Sequence, residues 1–408
     1  MRCGLLGRKL GHSYSPQIHG SLGDYSYDLF EIEPENLEEF LCNGDYHGLN
    51  VTIPYKKAVI PYCDALSPVA QALGAVNTIV RRKDGTLIGH NTDCFGFSSM
   101  LQRSGLDIRG KKVLVLGSGG ASNTAVAVLK ESGANVIVIS RHGENNYDNL
   151  HLHKDASVIV NATPVGMYPN VGDSPVDLAL FPQLEGVLDL IYNPAKTKIL
   201  LDAQERGLVA VNGLWMLVAQ AKESSEWFTG NNLPDSIIAE IHAILRIRME
   251  NIVLIGMPGC GKSTIGKLVA NALNRTFADA DAEIEKLAGM TIPEIFATQG
   301  EVGFRKLETQ VLSELGKQSS LVIATGGGCV TRPENNRHLH QNGKIFWIKR
   351  DISKLPTNGR PLSASGKLDE MYRIRKPLYS SFADCEIQNN STCQAAADEI
   401  IGLLRDQT

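Results

Sequence analysis

At 408 residues the chain exceeds one ordinary domain, and its 43% hydrophobic, 21% charged composition is that of a globular protein rather than a disordered or fibrous one. A formal net charge of −4 supplies no basic footprint for nucleic acid or an anionic membrane. The eight cysteines are scattered, without C-x-x-C pairs or histidines at metal spacing, which argues against a disulfide framework or a zinc site and fits a reducing compartment. No apolar run approaches the ~18–20 residues that span a membrane, and the first residues lack the basic-then-apolar pattern of a signal segment. A cytoplasmic α/β protein of two or three domains is expected, with homo-oligomerisation left open.

The first segment mixes short apolar strands with helical stretches. Residues 3–7 read as a strand ending in a glycine turn, followed by Ser13-Tyr14-Ser15-Pro16-Gln17-Ile18-His19. Ser15 before Pro16 has the form of a helix N-cap with proline at the first helical position. That leaves Ser13 on the same turn unexplained, and two hydroxyls so placed can hold a polyol or a carboxylate. Residues 48–53 read as a strand broken by Pro54, with Lys56 at the start of a helix, where the dipole disfavours a cation. Gly74-Ala75-Val76-Asn77-Thr78 and Gly89-His90-Asn91-Thr92-Asp93 flank a hairpin around Asp84-Gly85. Turn and capping chemistry alone accounts for Asn77 or Asp93 taken singly.

Residues 111–116 read as a buried parallel strand, marked by the continuous β-branched and leucine run Val113-Leu114-Val115-Leu116. Gly117-Ser118-Gly119-Gly120-Ala121-Ser122 follows, then an alanine- and valine-rich helix over 124–130 and a second strand over 135–140. Strand, glycine turn, helix, strand predicts a dinucleotide-binding unit with the pyrophosphate at the helix N-terminus. The second strand ends in Ser140-Arg141-His142, and an arginine where an acidic residue would bind a ribose hydroxyl favours the 2′-phosphate of NADP. Residues 141–155 are too few for a full helix plus another strand, so this side of the unit is expected to be trimmed.

Residues 249–264 restart the pattern. The apolar run 252–255 enters Gly256-Met257-Pro258-Gly259-Cys260-Gly261-Lys262-Ser263-Thr264, a G-x-x-x-x-G-K-[ST] phosphate-binding loop between a strand and a helix. Its N–H groups are expected to surround phosphate oxygens of ATP, with Lys262 near the β/γ oxygens and Ser263 on Mg²⁺. A complete second module therefore starts near Met249. Asp279 and Asp281, two apart at a predicted strand end, point the same way: one toward the magnesium shell, one toward an acceptor hydroxyl. Gly326-Gly327-Gly328, after a strand over 321–324, permits a small ligand to approach the backbone.

The motifs S-x-S-P-x-I-H, N-V-T-x-P-x-K, G-A-V-N-T and N-T-D occur in that order through Asp93, followed by Asn161-Ala162-Thr163-Pro164, Asp189-Leu190-Ile191-Tyr192-Asn193-Pro194 and Asn212-Gly213-Leu214-Trp215-Met216 up to Gln220. Over residues 1–245 the chain thereby resembles the shikimate dehydrogenase family. The resemblance implies that Ser13 and Ser15 hold a substrate carboxylate, with Thr52, Asn77, Tyr192 and Gln220 on the substrate. Lys56 and Asp93 become the catalytic pair, and Gly117, Ser118, Gly119, Gly120, Ala121, Ser140, Arg141 and Gly213 the NADP contacts. A substrate domain over 1–96 plus 213–245 and a Rossmann domain over 97–212 follow.

Residues 249–408 resemble shikimate kinase through the phosphate loop, D-x-D, F-R-x-x-E, G-G-G, R-P-L around Arg360 and R-x-P-L-Y. This resemblance implies a P-loop fold of five parallel strands and a mobile lid carrying Arg360. Arg305 and Arg375 would grip the shikimate carboxylate beside Gly326, Gly327 and Gly328. Asp281 would orient the acceptor hydroxyl, Asp279 and Ser263 would act through Mg²⁺, and Lys262 and Arg360 would neutralise the transferring phosphoryl group. Gly256, Gly259, Cys260, Gly261, Ser263 and Thr264 would complete the ATP loop. The expected function is reduction of 3-dehydroshikimate with NADPH followed by phosphorylation of shikimate with ATP. The alternatives are a quinate/shikimate dehydrogenase joined to another small-molecule kinase, and a ligand-sensing pseudoenzyme; retention of Lys56, Asp93, Lys262, Asp279 and Asp281 argues against the last.

Overall fold

The structure, a computed structural model, describes residues 1–11, 13–355 and 367–405. The chain divides into two compact units, residues 1–166 with 173–192 and 199–242, and residues 167–172 with 193–198 and 243–408.

The first unit contains two sheets. Strands β1 (Arg2–Gly7), β2 (Ser26–Glu31), β3 (Gly48–Val51), β4 (Ala65–Leu66), β5 (Thr78–Arg81) and β6 (Leu87–His90) form a mixed sheet of order β2-β1-β3-β5-β6-β4. β5 runs antiparallel to β6, as the Asp84-Gly85 hairpin requires, and also to β3, while β1 pairs in parallel with β2 and β3. The second sheet is all parallel, with order β11-β10-β9-β7-β8 for β7 (Lys112–Leu116), β8 (Asn135–Ile139), β9 (Val158–Asn161), β10 (Gly186–Asp189) and β11 (Val209–Val211). The unbroken apolar run of β7 serves both faces. Leu114 and Leu116 join one buried cluster with Ile159 and Val187, while Val113 and Val115 join another with Val158 and Val160. Phe97, Met100 and Leu101 of helix Asp93–Ser104 cover the second face. The trimmed stretch is realised as a 3₁₀ segment, Tyr147–His153, between β8 and β9.

The second unit is built on one parallel sheet of order β13-β14-β12-β15-β16, comprising β12 (Asn251–Ile255), β13 (Thr276–Asp279), β14 (Leu321–Ala324), β15 (Gly343–Lys349) and β16 (Cys385–Gln388). β12 is buried along its whole length and pairs with β14 and β15. In both parallel sheets the glycine turn thus leaves a strand whose two neighbours come from different crossovers, the position at which such sheets open a binding crevice. No helix among the described residues is long and apolar enough to cross a membrane.

Local expectations are corrected at three places. Ser15 does not cap its helix: it is the first residue of Ser15–His19, Tyr14 holds the cap position, and the Ser13 hydroxyl accepts the Ser15 N–H at 3.2 Å. Ser13 therefore does the turn-closing assigned to Ser15. Lys56 does not start a helix. Residues 53–59 form successive turns, because Tyr55 is buried and its hydroxyl donates to the Ile32 carbonyl. Asp279 and Asp281 do not share a strand end: Asp279 caps helix Ala280–Ala288 by accepting the Asp281 N–H at 3.1 Å, and Asp281 lies in the first turn of that helix.

Candidate active sites

In the first unit, backbone pairing brings three separated segments together. The Val51 N–H donates to the Asn77 carbonyl at 2.7 Å, the Asn77 N–H to the His90 carbonyl at 3.0 Å, and the Val76 N–H to the Lys56 carbonyl at 2.7 Å. The Lys56 turn is thereby fastened beside the residues that lead into helix Asp93–Ser104. Lys56 Nζ donates to Asp93 Oδ2 at 2.6 Å, with side chains 30% and 12% exposed. A pair this sheltered is screened less than a surface ion pair and keeps its geometry. Asp93 stands in the first helical turn, where the dipole favours an anion, and its N–H donates to Asn91 Oδ1 at 3.0 Å. Asn77 Nδ2 reaches Asp93 Oδ1 at 2.9 Å and Gln220 Oε1 at 3.2 Å, while its own oxygen accepts the Thr92 N–H at 2.8 Å.

These groups line a cavity of about 250 Å³ with Ser13, Ser15, Thr52 and Tyr192. The structure thus gathers every dehydrogenase substrate residue expected from sequence. It adds Lys9, His19, Asn50 and Leu217. His19 and Asn50 sit inside the S-P-x-I-H and N-V-T motifs, so a signal existed; Lys9 had none. Burial pushes the His19 imidazole down to about 3 against a weaker opposing hydrogen bond from Asn50, so it is neutral. Its ring stacks on Tyr27 at 4.0 Å, and Tyr27 donates to Asn50 Oδ1 at 2.7 Å. Burial likewise raises the Tyr192 phenol, with a smaller push from Tyr14.

The glycine turn after β7 has the expected shape. Gly117 is left-handed at φ 105°, and a Cβ there would lie 3.1 Å from the Ala162 carbonyl oxygen. Gly119 is the N-cap residue of the twelve-residue helix Gly120–Glu131, and a Cβ at Gly119 or Gly120 would point into open space, leaving the backbone accessible. Ser118 and Ala121 flank these positions. Ser140 and Arg141 follow β8, the strand paired with β7, and the Ser140 N–H donates to the Asn145 carbonyl at 3.1 Å. The Gly213 N–H donates to the Ile191 carbonyl at 3.0 Å, and a Cβ there would strike the Leu190 carbonyl oxygen.

In the second unit a cavity of about 640 Å³ is lined by Pro258, Gly259, Gly261, Lys262, Ser263 and Thr264 on one side and by Asp281, Arg305, the three glycines and Arg375 on the other. Gly256 and Cys260 are not on its wall. Cys260 is fully buried with its carbonyl accepting Asn389 Nδ2 at 2.7 Å, and a Cβ at Gly256 would lie 2.5 Å from the Ile348 carbonyl oxygen. Those two shape the loop from behind. Lys262 Nζ donates to the Gly256 and Met257 carbonyls at 2.9 and 3.1 Å, and the Ser263 hydroxyl to Asp279 Oδ2 at 2.7 Å.

The three glycines have a specific reason to lack side chains. A Cβ at Gly326 would lie 2.7 Å from Glu308 Oε1 and 2.9 Å from Asp281 Oδ1, one at Gly327 would lie 2.6 Å from Pro258, and one at Gly328 would strike the Arg305 guanidinium. Arg305 donates to Glu308 Oε2 at 2.7 Å, and Arg375 to the Gly327 carbonyl at 3.1 Å. Glu308 is fully buried; burial raises its carboxyl, and Arg305 pulls it back. In the sequence Glu308 stood out only as the last residue of the F-R-x-x-E motif, and nothing marked Arg350, Met371 or Cys393, which also line the cavity. Arg360 lies outside the described residues.

Comparison with known proteins agrees with both halves. A family model described as the shikimate dehydrogenase substrate binding domain matches residues 5–79, and one described as shikimate kinase matches residues 258–405. The shikimate dehydrogenase (NADP(+)) of Clostridium perfringens is 38% identical over 267 residues, covering 60% of this chain and 98% of its own. A chorismate mutase/shikimate 5-dehydrogenase fusion from Clostridium acetobutylicum superposes with TM-score 0.57 at 39% identity, over 60% of this chain and 96% of that one. The Thermus thermophilus shikimate 5-dehydrogenase, solved with NADP(H) and shikimate, superposes with TM-score 0.55 at 32% identity, over 59% of this chain and 98% of its own. The chain therefore belongs to the shikimate dehydrogenase family over about its first three-fifths and carries a shikimate kinase domain over residues 258–405.

Proposed function

We propose that this chain reduces 3-dehydroshikimate to shikimate with NADPH and then phosphorylates shikimate at its 3-hydroxyl with ATP. The observation that carries the reading is that two independent family matches lie in one chain and share one compound, the product of the first reaction being the acceptor of the second. We assign a substrate domain to residues 1–96 plus 213–245, a Rossmann domain to 97–212 and a kinase domain to 249–408, working in the cytoplasm.

In the dehydrogenase cavity Ser13 and Ser15 take the substrate carboxylate, and Thr52, Asn77, Tyr192 and Gln220 fix the ring. NADPH, when bound, supplies the hydride. A carbonyl that receives a hydride develops alkoxide charge, and the Lys56 ammonium, oriented by Asp93 at 2.6 Å, is the donor that meets it. The open glycine turn Gly117–Gly120 with Ala121 fits a pyrophosphate, and Ser140 and Arg141 fit a 2′-phosphate. In the kinase cavity Arg305 and Arg375 present planar donors to the shikimate carboxylate, Asp281 accepts from the attacking hydroxyl, and Lys262 neutralises phosphoryl charge. Ser263 and Asp279, hydroxyl on carboxylate at 2.7 Å, are a hard-oxygen pair suited to Mg²⁺, which keeps most of its shell as water and phosphate oxygens.

Steady-state rates on a substrate panel test the assignment. Dehydroshikimate with NADPH and shikimate with ATP are expected to exceed quinate with NAD⁺ and gluconate with ATP by at least about 100-fold in kcat/KM, the order by which a fitted pocket rejects an analogue with one extra hydroxyl. Comparable rates on quinate or gluconate would replace the assignment with a broader one. The glycine triplet offers a local check. Gly328→Ala puts a methyl against the Arg305 guanidinium and pushes it off its buried partner Glu308, so KM for shikimate in the kinase assay is expected to rise about tenfold while NADPH oxidation is unaffected.

A further inference from the structure

We infer that Lys9 is the cation through which the dehydrogenase cavity selects an anionic substrate. The inference rests on the proposed reading of that cavity as the seat of a carboxylated polyol, and it comes from a charge inventory of the wall. Among the described residues, the titratable side chains lining the cavity are Lys9, Lys56, Asp93, His19 and Tyr192. Lys56 and Asp93 pair at 2.6 Å and cancel. His19 is neutral because burial pushes it down to about 3, and the Tyr192 phenol is raised by burial, so it stays protonated. Without Lys9 the described residues of this wall carry no net charge, and a carboxylate entering it would exchange water for neutral hydroxyls. That exchange is poor: the Ser15 N–H is already taken up by Ser13 Oγ and is not offered to the ligand, and the helix that Ser15 begins is only five residues long. With Lys9 the wall carries one positive charge.

The placement of Lys9 supports this use. It follows β1 on the segment that runs into Ser13 and Ser15, so all three sit on the same stretch of wall. The next residue is pinned, the Leu10 N–H donating to Glu31 Oε1 at 2.7 Å. The preceding residue is also engaged, because Arg8 pairs with Glu33 at 2.8 Å. No ion pair among the described residues involves Lys9, so its charge is not spent on a protein carboxylate.

The test uses the full chain and two ligands that differ in charge and by one methyl group, shikimate and shikimate methyl ester, with binding read by calorimetry and turnover by NADPH absorbance. Lys9→Met is expected to raise KM for dehydroshikimate and the dissociation constant of shikimate about tenfold each, the share of a partly exposed charge-assisted contact. It should leave kcat, KM for NADPH and the affinity for the methyl ester unchanged. Lys9→Arg is expected to recover most of the loss, and added salt to weaken shikimate binding more in the wild type than in Lys9→Met. Unchanged KM in Lys9→Met, an equal loss for acid and ester, or a raised KM for NADPH would each overturn the inference. If the wild-type protein neither binds shikimate nor reduces dehydroshikimate, the reading of the cavity fails first, visibly before any variant is compared.

Discussion

Replacing Lys56 by methionine is expected to lower kcat for dehydroshikimate reduction by about 10³-fold, the range lost with a positioned acid or an oxyanion donor. Phosphorylation of shikimate by the same protein should proceed at the wild-type rate. The substitution keeps most of the aliphatic stem and removes only the ammonium that bonds Asp93 Oδ2 at 2.6 Å. Asp93 stays placed by Asn77 Nδ2 at 2.9 Å and by its position at the head of helix Asp93–Ser104. The cavity is therefore expected to survive, with KM for dehydroshikimate changing far less than kcat. The kinase assay reports folding in the same tube. An unchanged rate of NADPH oxidation would remove Lys56 from the chemistry.

Asp281→Asn is the corresponding change in the second cavity, with an expected loss of 10²- to 10³-fold, about the share of a group that orients and accepts from a nucleophile. The amide keeps the shape that the glycine triplet is built around, since a Cβ at Gly326 would lie 2.9 Å from Asp281 Oδ1. The Asp279 cap on the Asp281 N–H is a backbone contact and is retained. ADP release would then fall in kcat with KM for ATP unchanged, and the dehydrogenase would be unaffected. A loss confined to KM for shikimate would instead make Asp281 a binding group.

Both glycine loops could be read from sequence because their logic is local: a buried apolar strand, glycines at fixed spacing, then a helix. Gly117, Gly259 and Gly261 all adopt the left-handed φ that such turns demand. The Lys56–Asp93–Asn77–Gln220 constellation was legible only through family resemblance, because its members are joined by pairing among β3, β5 and β6 and by the packing of Leu214–Thr229, all long-range events. The local errors share a cause. Ser15, Lys56 and the two aspartates were assigned by short-range propensity, and in each case another contact prevailed: the Ser13 hydroxyl, the burial of Tyr55, and the Asp279 cap. An Asp-x-Asp step reads equally well as a strand end and as a side chain capping the next backbone N–H. Wall residues such as Lys9, Arg350 and Cys393 carry no local pattern at all, since a cavity is a property of the packed chain.

One chain is expected to perform both steps in sequence, and a single incubation measures it. Purified full-length protein with 3-dehydroshikimate, NADPH, ATP and Mg²⁺ is expected to yield shikimate 3-phosphate, with one NADPH oxidised and one ADP formed per product. Leaving out ATP should stop the conversion at shikimate, and Lys56→Met should halt it at dehydroshikimate while still phosphorylating added shikimate. Accumulation of shikimate in the presence of ATP and Mg²⁺, or ADP formation that does not depend on shikimate, would show that the chain does not couple the two steps.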